Sequence, residues 1–474
     1  MADLPARRDA DVADEPIGTD YLVVGAGGTG LAFVDSLLDA GDARVVLVDR
    51  RDRVGGHWND AYPFVRLHQP SAWYGVASRP LPEGDADDAD DRGASGADVS
   101  AYFERLLRER LLPSGRVRWM PASEWRRDAD GTHRVRALAS GDERVVLARR
   151  VVDATLTRTE VPATHPPRYA VAPGVRCVPP NALPHVARTA ARFTVVGAGK
   201  TGMDACLWLL DQGVPGARIR WIVPRDAWLL DRANMRAGAP HHVRGLRALV
   251  AQYAALAEER TVSALFARLE AAGAVIRLDP AVEPTKTRGA IASRAELARL
   301  RTIGEIVRLG RVVAVESTRL VLERGELPAE PDTIYVDCSA SAVRTPASMP
   351  VFEGDVIRLL MLSWGQPLFS AALIAHVEAT VADVATKNAL CGPVPFPELT
   401  SDWPAAWAAT LANAAHRRAH PAVHAWVRRC RLQVMSILLR GVRPDDPEAR
   451  ALLKELGAAA AAAAARLASP TAFA

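Results

Sequence analysis

Two stretches of the chain share one pattern of apolar and polar positions. Tyr21-Leu22-Val23-Val24 is a short apolar run, followed by Gly25-Ala26-Gly27-Gly28-Thr29-Gly30 and then by Leu31, Phe33, Val34, Leu37 and Leu38 at helical spacing. A run without polar alternation predicts a strand buried on both faces of a parallel sheet, and the spacing after the glycines predicts an amphipathic helix. The pattern returns as Arg192-Phe193-Thr194-Val195-Val196, then Gly197-Ala198-Gly199-Lys200-Thr201-Gly202, then apolar positions up to Leu210. Each unit continues into a further apolar strand, at residues 44–48 and 218–223. Between and after the units, periodicity predicts a helix over 98–107, a small β-meander over 117–119, 133–137 and 143–147, and helices over 243–256, 262–271 and 294–303. The alanine run at 458–465 predicts a helical tail.

Strand, G-x-G-x-x-G and helix in that order form a dinucleotide-binding turn. Gly25 makes the tight turn, Gly27 and Gly28 let backbone approach a pyrophosphate, and Gly30 lets helix pack on strand. The helix N-terminus then offers free N–H groups to the phosphates. Asp49 ends the second strand, where a carboxylate accepts ribose hydroxyls and repels a 2′-phosphate, so this unit prefers FAD or NAD over NADP. In the second unit Gly197, Gly199, Lys200, Thr201 and Gly202 take the phosphate-binding places. No acid ends its second strand; Arg225 stands close by, and a guanidinium takes a 2′-phosphate. The second unit therefore reads as NADPH-binding, with the neighbouring Asp226 as a counter-signal and a solvated Arg225 as the bland alternative. Two units predict two dinucleotides: FAD held and NADPH delivering hydride.

Six residues past Asp49 stands Gly55-Gly56-His57-Trp58. An acid, a spacer, Gly-Gly and Trp resemble the FAD-binding region of flavin-containing and Baeyer–Villiger-type monooxygenases. The closing turns Val151-Val152-Asp153-Ala154-Thr155 and Tyr335-Val336-Asp337-Cys338-Ser339-Ala340 stand in the order of that superfamily, over roughly residues 20–385. The resemblance implies that Gly56 and Trp58 border the FAD and that residues 62–74 cross the flavin ring. It implies that a late helix, opening near Ser370, points its N-terminus at the flavin pyrimidine. Arg66, His68 and Gln69 are then candidate catalytic groups facing flavin N5 and a C4a-hydroperoxide. Two departures stand out. Leu156 replaces the glycine of the first closing turn, and residues 172–184 lack the histidine of the F-x-G-x-x-x-H-x-x-x-W/Y fingerprint.

The fold class expected is α/β, with two Rossmann-type domains, the NADPH domain inserted into the FAD domain, and a C-terminal helical region. The boundaries expected are an N-terminal arm (1–17), the first FAD part (18–165), the NADPH domain (166–334, helical insertion 235–310) and the second FAD part with C-terminal helices (335–474). Of 474 residues 49% are hydrophobic and 24% charged, which excludes a disordered chain. A net charge of +4 without a Lys/Arg stripe argues against a nucleic-acid partner. No apolar stretch is long enough to span a membrane. The five cysteines form no Cys-x-x-Cys, which argues against a dithiol centre and for a cytoplasmic setting. No metal is expected, including at His241-His242, and the acidic run 85–91 reads as a solvated loop. Trp403, Trp407 and Trp426 read as a helical cluster or a homodimer contact. The favoured function is an NADPH-consuming, FAD-dependent monooxygenase using molecular oxygen on a small organic molecule with an N, S or ketone centre. An NADPH-dependent reductase or dehydrogenase without oxygen transfer and a non-catalytic flavin-binding redox sensor stand as alternatives.

Overall fold

The computed structural model describes residues 15–82, 93–157, 159–187, 190–340, 349–469, 472 and 473. The acidic run 85–91 lies outside the described residues. Two parallel sheets organise the chain. In the first, strands run in the order Val117–Met120, Val45–Val48, Ile17–Val24, Glu143–Asp153 and Val356–Arg358, with Phe352–Glu353 antiparallel at one edge. In the second the order is Glu305–Val307, Ile219–Ile222, Arg192–Val196, Thr333–Asp337 and Cys177–Val178, all parallel. Both are doubly wound: the chain lays down one strand, adds two outward on one side, then crosses to the other. The strand order reverses beside the first strand, and there the loops at the strands' carboxyl ends open a crevice.

Strand composition explains the burial. Val45–Val48 and Ile219–Ile222 are buried at every position, as expected of strands covered on both faces. The helix Gly28–Ala40 covers the first sheet and packs against the helix Pro367–Thr380, whose residues from Leu368 to Ala375 are all buried. The return of the chain at Phe352–Thr380 to the first sheet brackets the second sheet within the first unit.

Two expected segments differ in detail. Val117–Met120 joins the parallel sheet beside Val45–Val48, and the meander instead begins at Ser123–Arg127, paired with His133–Ala137. Pro121, which has no N–H to donate, and Ala122, at φ +44°, separate the two strands. Residues 235–310 are not wholly helical. The helices His242–Glu258, Val262–Ala271 and Arg294–Leu300 alternate with Val275–Ile276, Lys286–Ala292 and Glu305–Val307, the last being the outer strand of the second sheet. Trp403 and Trp407 are buried with Trp364, Trp228 and Phe266 in one aromatic core, and Trp426 stacks on His376. The alanine run belongs to the helix Pro447–Leu467, which lies against His242–Glu258. Among the described residues no helix is long and apolar enough to cross a membrane.

Candidate functional site

The first glycine turn leaves the carboxyl end of Ile17–Val24 at the reversal point. Gly25 has φ +102°, and a Cβ on Gly30 would stand 2.0 Å from the Gly25 carbonyl oxygen, so helix and strand meet backbone to backbone. The helix that follows is capped at Gly27 by no side chain and carries no acid in its first turn, so its leading N–H groups keep their affinity for an anion. A Cβ on Gly56, which has φ +61°, would lie 2.9 Å from the Gly27 Cα, so the Gly55-Gly56 turn abuts the loop through backbone alone. Asp49 is buried; its carboxylate accepts from the Ala26 N–H at 2.7 Å and the Arg51 N–H at 2.9 Å. Gly25, Gly27, Gly28, Gly30, Asp49 and Gly56 are thus brought together. Trp58 commits its indole N–H to the Tyr74 hydroxyl at 2.7 Å, and that hydroxyl lies over Gly28, 3.2 Å from where a Cβ would be.

The second turn repeats the construction. Gly197 has φ +118°, and a Cβ on Gly202 would stand 2.0 Å from the Gly197 carbonyl oxygen. Gly199 caps the helix Lys200–Asp211 without a side chain, and no atom lies within 4 Å of where its Cβ would be. Such an opening over an uncapped helix end fits a phosphate group. Lys200 pairs with Asp204, whose other oxygen accepts from the Tyr62 hydroxyl at 2.6 Å. Burial, then the Asp204 charge, pushes the Tyr62 hydroxyl well up, so it stays a donor; Thr201 also bonds to it.

Arg225 donates to the Glu398 carboxylate at 3.1 Å on a partly exposed surface. Asp226 is occupied by the Arg308 guanidinium through two bonds of 2.8 and 3.1 Å. Lys286, opposite Ala227 in the sheet, joins this corner. Burial first, then Arg288, Arg225 and Arg311 against the opposing Glu398, lowers its ammonium to about 8. Only Arg225 of this cationic group carried a positional signal in the sequence.

Residues 62–74 of the first unit lie along the second. Phe64 stacks on Trp208 at 5.1 Å, and the backbone of Val65 and Leu67 pairs with that of Gly96 and Ala94. A cavity of about 240 Å³ opens between the units, lined by Phe64, Arg66, Lys200, Trp208, Arg232 and Glu296 among others. Arg66 therefore faces the cavity. His68 turns to the second unit instead: its Nδ1 accepts from the Ile291 N–H at 3.3 Å, and its carbonyl accepts from Arg232 Nε at 2.9 Å. Burial, then the Lys200 and Arg232 charges, lowers His68 to about 3, so the ring is neutral and carries its proton on Nε2. Among the described residues the buried Gln69 Oε1 has no hydrogen-bond partner, an acceptor left for a bound group.

Ser370 is fully buried; its hydroxyl donates to the Gln366 carbonyl at 2.7 Å and accepts from the Leu362 N–H at 2.9 Å. The late helix thus offers its backbone end, not this hydroxyl. Sequence reasoning missed Tyr62, Asp204, Arg232, Glu296 and Lys286, each of which has a partner far away along the chain.

Two glycine turns at the reversal points of two parallel sheets define a protein with two dinucleotide-binding domains. A model of the NAD(P)-binding Rossmann-like domain matches residues 23–74. The polycyclic ketone monooxygenase of the thermophilic fungus Thermothelomyces thermophila shares this fold at a TM-score of 0.50 and 12% identity, over 97% of this chain and 90% of that one. A flavin-containing monooxygenase from Stenotrophomonas maltophilia aligns at a TM-score of 0.49 and 18% identity, over 79% of this chain and 100% of that one. The chain belongs to the family of two uncharacterized proteins, Rv2000 of Mycobacterium tuberculosis and Mb2023 of Mycobacterium bovis. Each is 44% identical to it over 429 residues, 89% of this chain and 79% of the relative.

Proposed function

We propose that this protein is an FAD-dependent, NADPH-consuming oxidoreductase that oxygenates a small organic molecule at a nitrogen, sulfur or ketone centre. One observation carries the reading. The uncapped, glycine-opened N-terminus of the second helix, at Lys200, borders a cavity of about 240 Å³ between the units, and the first unit repeats the same construction at its own sheet's reversal point. The first turn, with Asp49 and Gly56, suits the FAD pyrophosphate and ribose, and Trp58 fixes Tyr74 beside it. The second, with Lys200 and Thr201, suits the pyrophosphate of NADPH, and Arg225 with Lys286, Arg288 and Arg311 suits its 2′-phosphate. FAD, when bound, supplies two-electron chemistry, taking hydride and passing the electrons on to oxygen or another acceptor. Two side chains of residues 66–69 suit such a group: Arg66 brings positive charge to the cavity, and Gln69 offers an amide oxygen without a partner among the described residues.

A second reading, an NADPH-dependent reductase that passes electrons on without oxygen transfer, is favoured by the missing histidine in residues 172–184. One experiment separates the two. The purified protein is examined for a flavin spectrum, reduced with NADPH without air, and then mixed with oxygen. Bleaching followed by an absorbance band distinct from oxidised and reduced flavin supports oxygenation. Bleaching with direct return to the oxidised spectrum supports the reductase. Absence of flavin, or flavin that NADPH does not bleach, overturns both.

A further inference from the structure

A buried ion pair of the second unit lies at the seam, against the segment of residues 66–68. Arg232, only 1% exposed, opens a short turn after the strand Ala227–Asp231. Its Nη2 reaches both oxygens of Glu296, at 2.9 and 2.8 Å, while its Nε donates to the His68 carbonyl of the other unit at 2.9 Å. Glu296 is itself fixed: it closes the capping box of the helix Arg294–Leu300, accepting from the Ser293 N–H at 2.7 Å. The strand before that helix supplies the Ile291 N–H that His68 Nδ1 accepts. His68 is therefore held at its backbone and its ring by the second unit, two residues from the cavity-lining Arg66.

Burying two charges costs desolvation that their attraction seldom exceeds, so an apolar filler would hold the seam as well or better. A guanidinium does what an apolar filler cannot: it fixes the direction of three hydrogen bonds in one plane. We propose that Arg232 and Glu296 are positioning residues, setting the height of residues 66–69 over the cavity so that nicotinamide and flavin meet at reactive distance. The inference rests on the oxidoreductase reading. Misplacement of about 1 Å at a reacting centre costs roughly 100-fold in rate, so loss of the fork should act on hydride transfer before binding.

The variants are Arg232→Lys, which keeps the charge and loses the fork, and Glu296→Gln, which keeps the shape and loses the charge. Two readouts apply to the flavin-loaded protein: hydrogen exchange at the Ile291 amide, and the rate of anaerobic flavin bleaching by NADPH. The expected result is faster exchange at Ile291, flavin content and NADP⁺ affinity within about threefold of the parent, and bleaching slowed about 10- to 100-fold. Guanidinium ion at millimolar concentration should restore part of the rate to Arg232→Ala, and sodium ion at equal ionic strength should not. Bleaching at the parent rate in Arg232→Lys overturns the proposal and leaves the oxidoreductase reading intact. Insolubility of every variant would assign the pair to folding alone and also overturn it. A parent protein whose flavin NADPH does not bleach would remove both readings together.

Discussion

Gly30 and Gly202 do the same work in the two units, and the same measurement distinguishes their cofactors. A Cβ at either would stand 2.0 Å from a backbone carbonyl oxygen, which no rotamer change relieves. Gly202→Ala should leave flavin bound and slow NADPH bleaching by about 100-fold, because the displaced helix end misdirects its phosphate-binding N–H groups. Gly30→Ala should yield protein without flavin, read from the ratio of flavin to protein absorbance. His68 carries a different residue-scale prediction. Its folded value of about 3 lies below the ordinary 6.5, so its stabilising contribution is present above pH 6.5 and is lost as the pH falls towards 3. At about pH 5 the loss amounts to at most about 2 kcal/mol. His57, lowered to about 4 by burial and then by Arg51, acts in the same sense. The thermal midpoint should therefore drop between pH 7 and pH 5. His68→Asn, whose amide oxygen replaces Nδ1 as the acceptor from Ile291, should flatten that slope.

At the scale of elements, residues 62–68 form a strap pinned at both ends to the second unit. One pin is the Tyr62 hydroxyl on Asp204 at 2.6 Å, and the other is His68 on Arg232 and Ile291. Asp204 divides its charge between Tyr62 and Lys200, the first residue of the helix Lys200–Asp211. Tyr62→Phe leaves Lys200 as its sole strong partner and draws that ammonium away from the phosphates. NADP⁺ affinity should fall about tenfold, the worth of one hydrogen bond to a charged group, with flavin content unchanged; titration calorimetry checks this. The strap also marks what local sequence could carry. The glycine turns were legible because their demands, a positive φ at Gly25 and Gly197 and no Cβ at Gly30 and Gly202, are met within six residues. Arg66, His68 and Gln69 were flagged only by resemblance. What each faces depends on Asp204, Arg232, Ile291 and Glu296, which a second sheet brings back from far along the chain. Ser370 shows the converse: its place in the chain suggested the flavin, while its hydroxyl is bonded to the Gln366 carbonyl and the Leu362 N–H.

For the whole molecule, the 2′-phosphate site proposed above is built from three separate parts of the chain meeting at one corner. Arg225 follows the second strand of the inserted unit, Lys286 opens the strand Lys286–Ala292, and Glu398 arrives from the returning chain, where its carbonyl accepts the Thr287 N–H at 3.0 Å. The Glu398 carboxylate occupies Arg225 before any ligand does. An exposed pair of this kind is worth only about 0–1 kcal/mol, so a 2′-phosphate displaces it at little cost. Lys286 supplies the pH dependence. Its lowered value of about 8 arises from burial and the neighbouring guanidinium groups, and an arriving phosphate dianion reverses the second cause, so binding draws a proton onto the amine. Below pH 8 that proton is already present, and above it the proton must be taken from solvent. Affinity for NADPH should therefore be flat between about pH 7 and pH 8, where the 2′-phosphate stays a dianion, and weaken above pH 8, whereas affinity for NADH, which has no 2′-phosphate, should not change. Lys286→Met should remove the pH dependence and reduce the preference for NADPH by about tenfold, one charge-assisted hydrogen bond. Glu398→Gln should act oppositely, tightening NADPH without affecting NADH, because it removes the carboxylate that competes for Arg225. A preference for NADPH that survives both Lys286→Met and Arg225→Ala would place 2′-phosphate recognition elsewhere in the molecule.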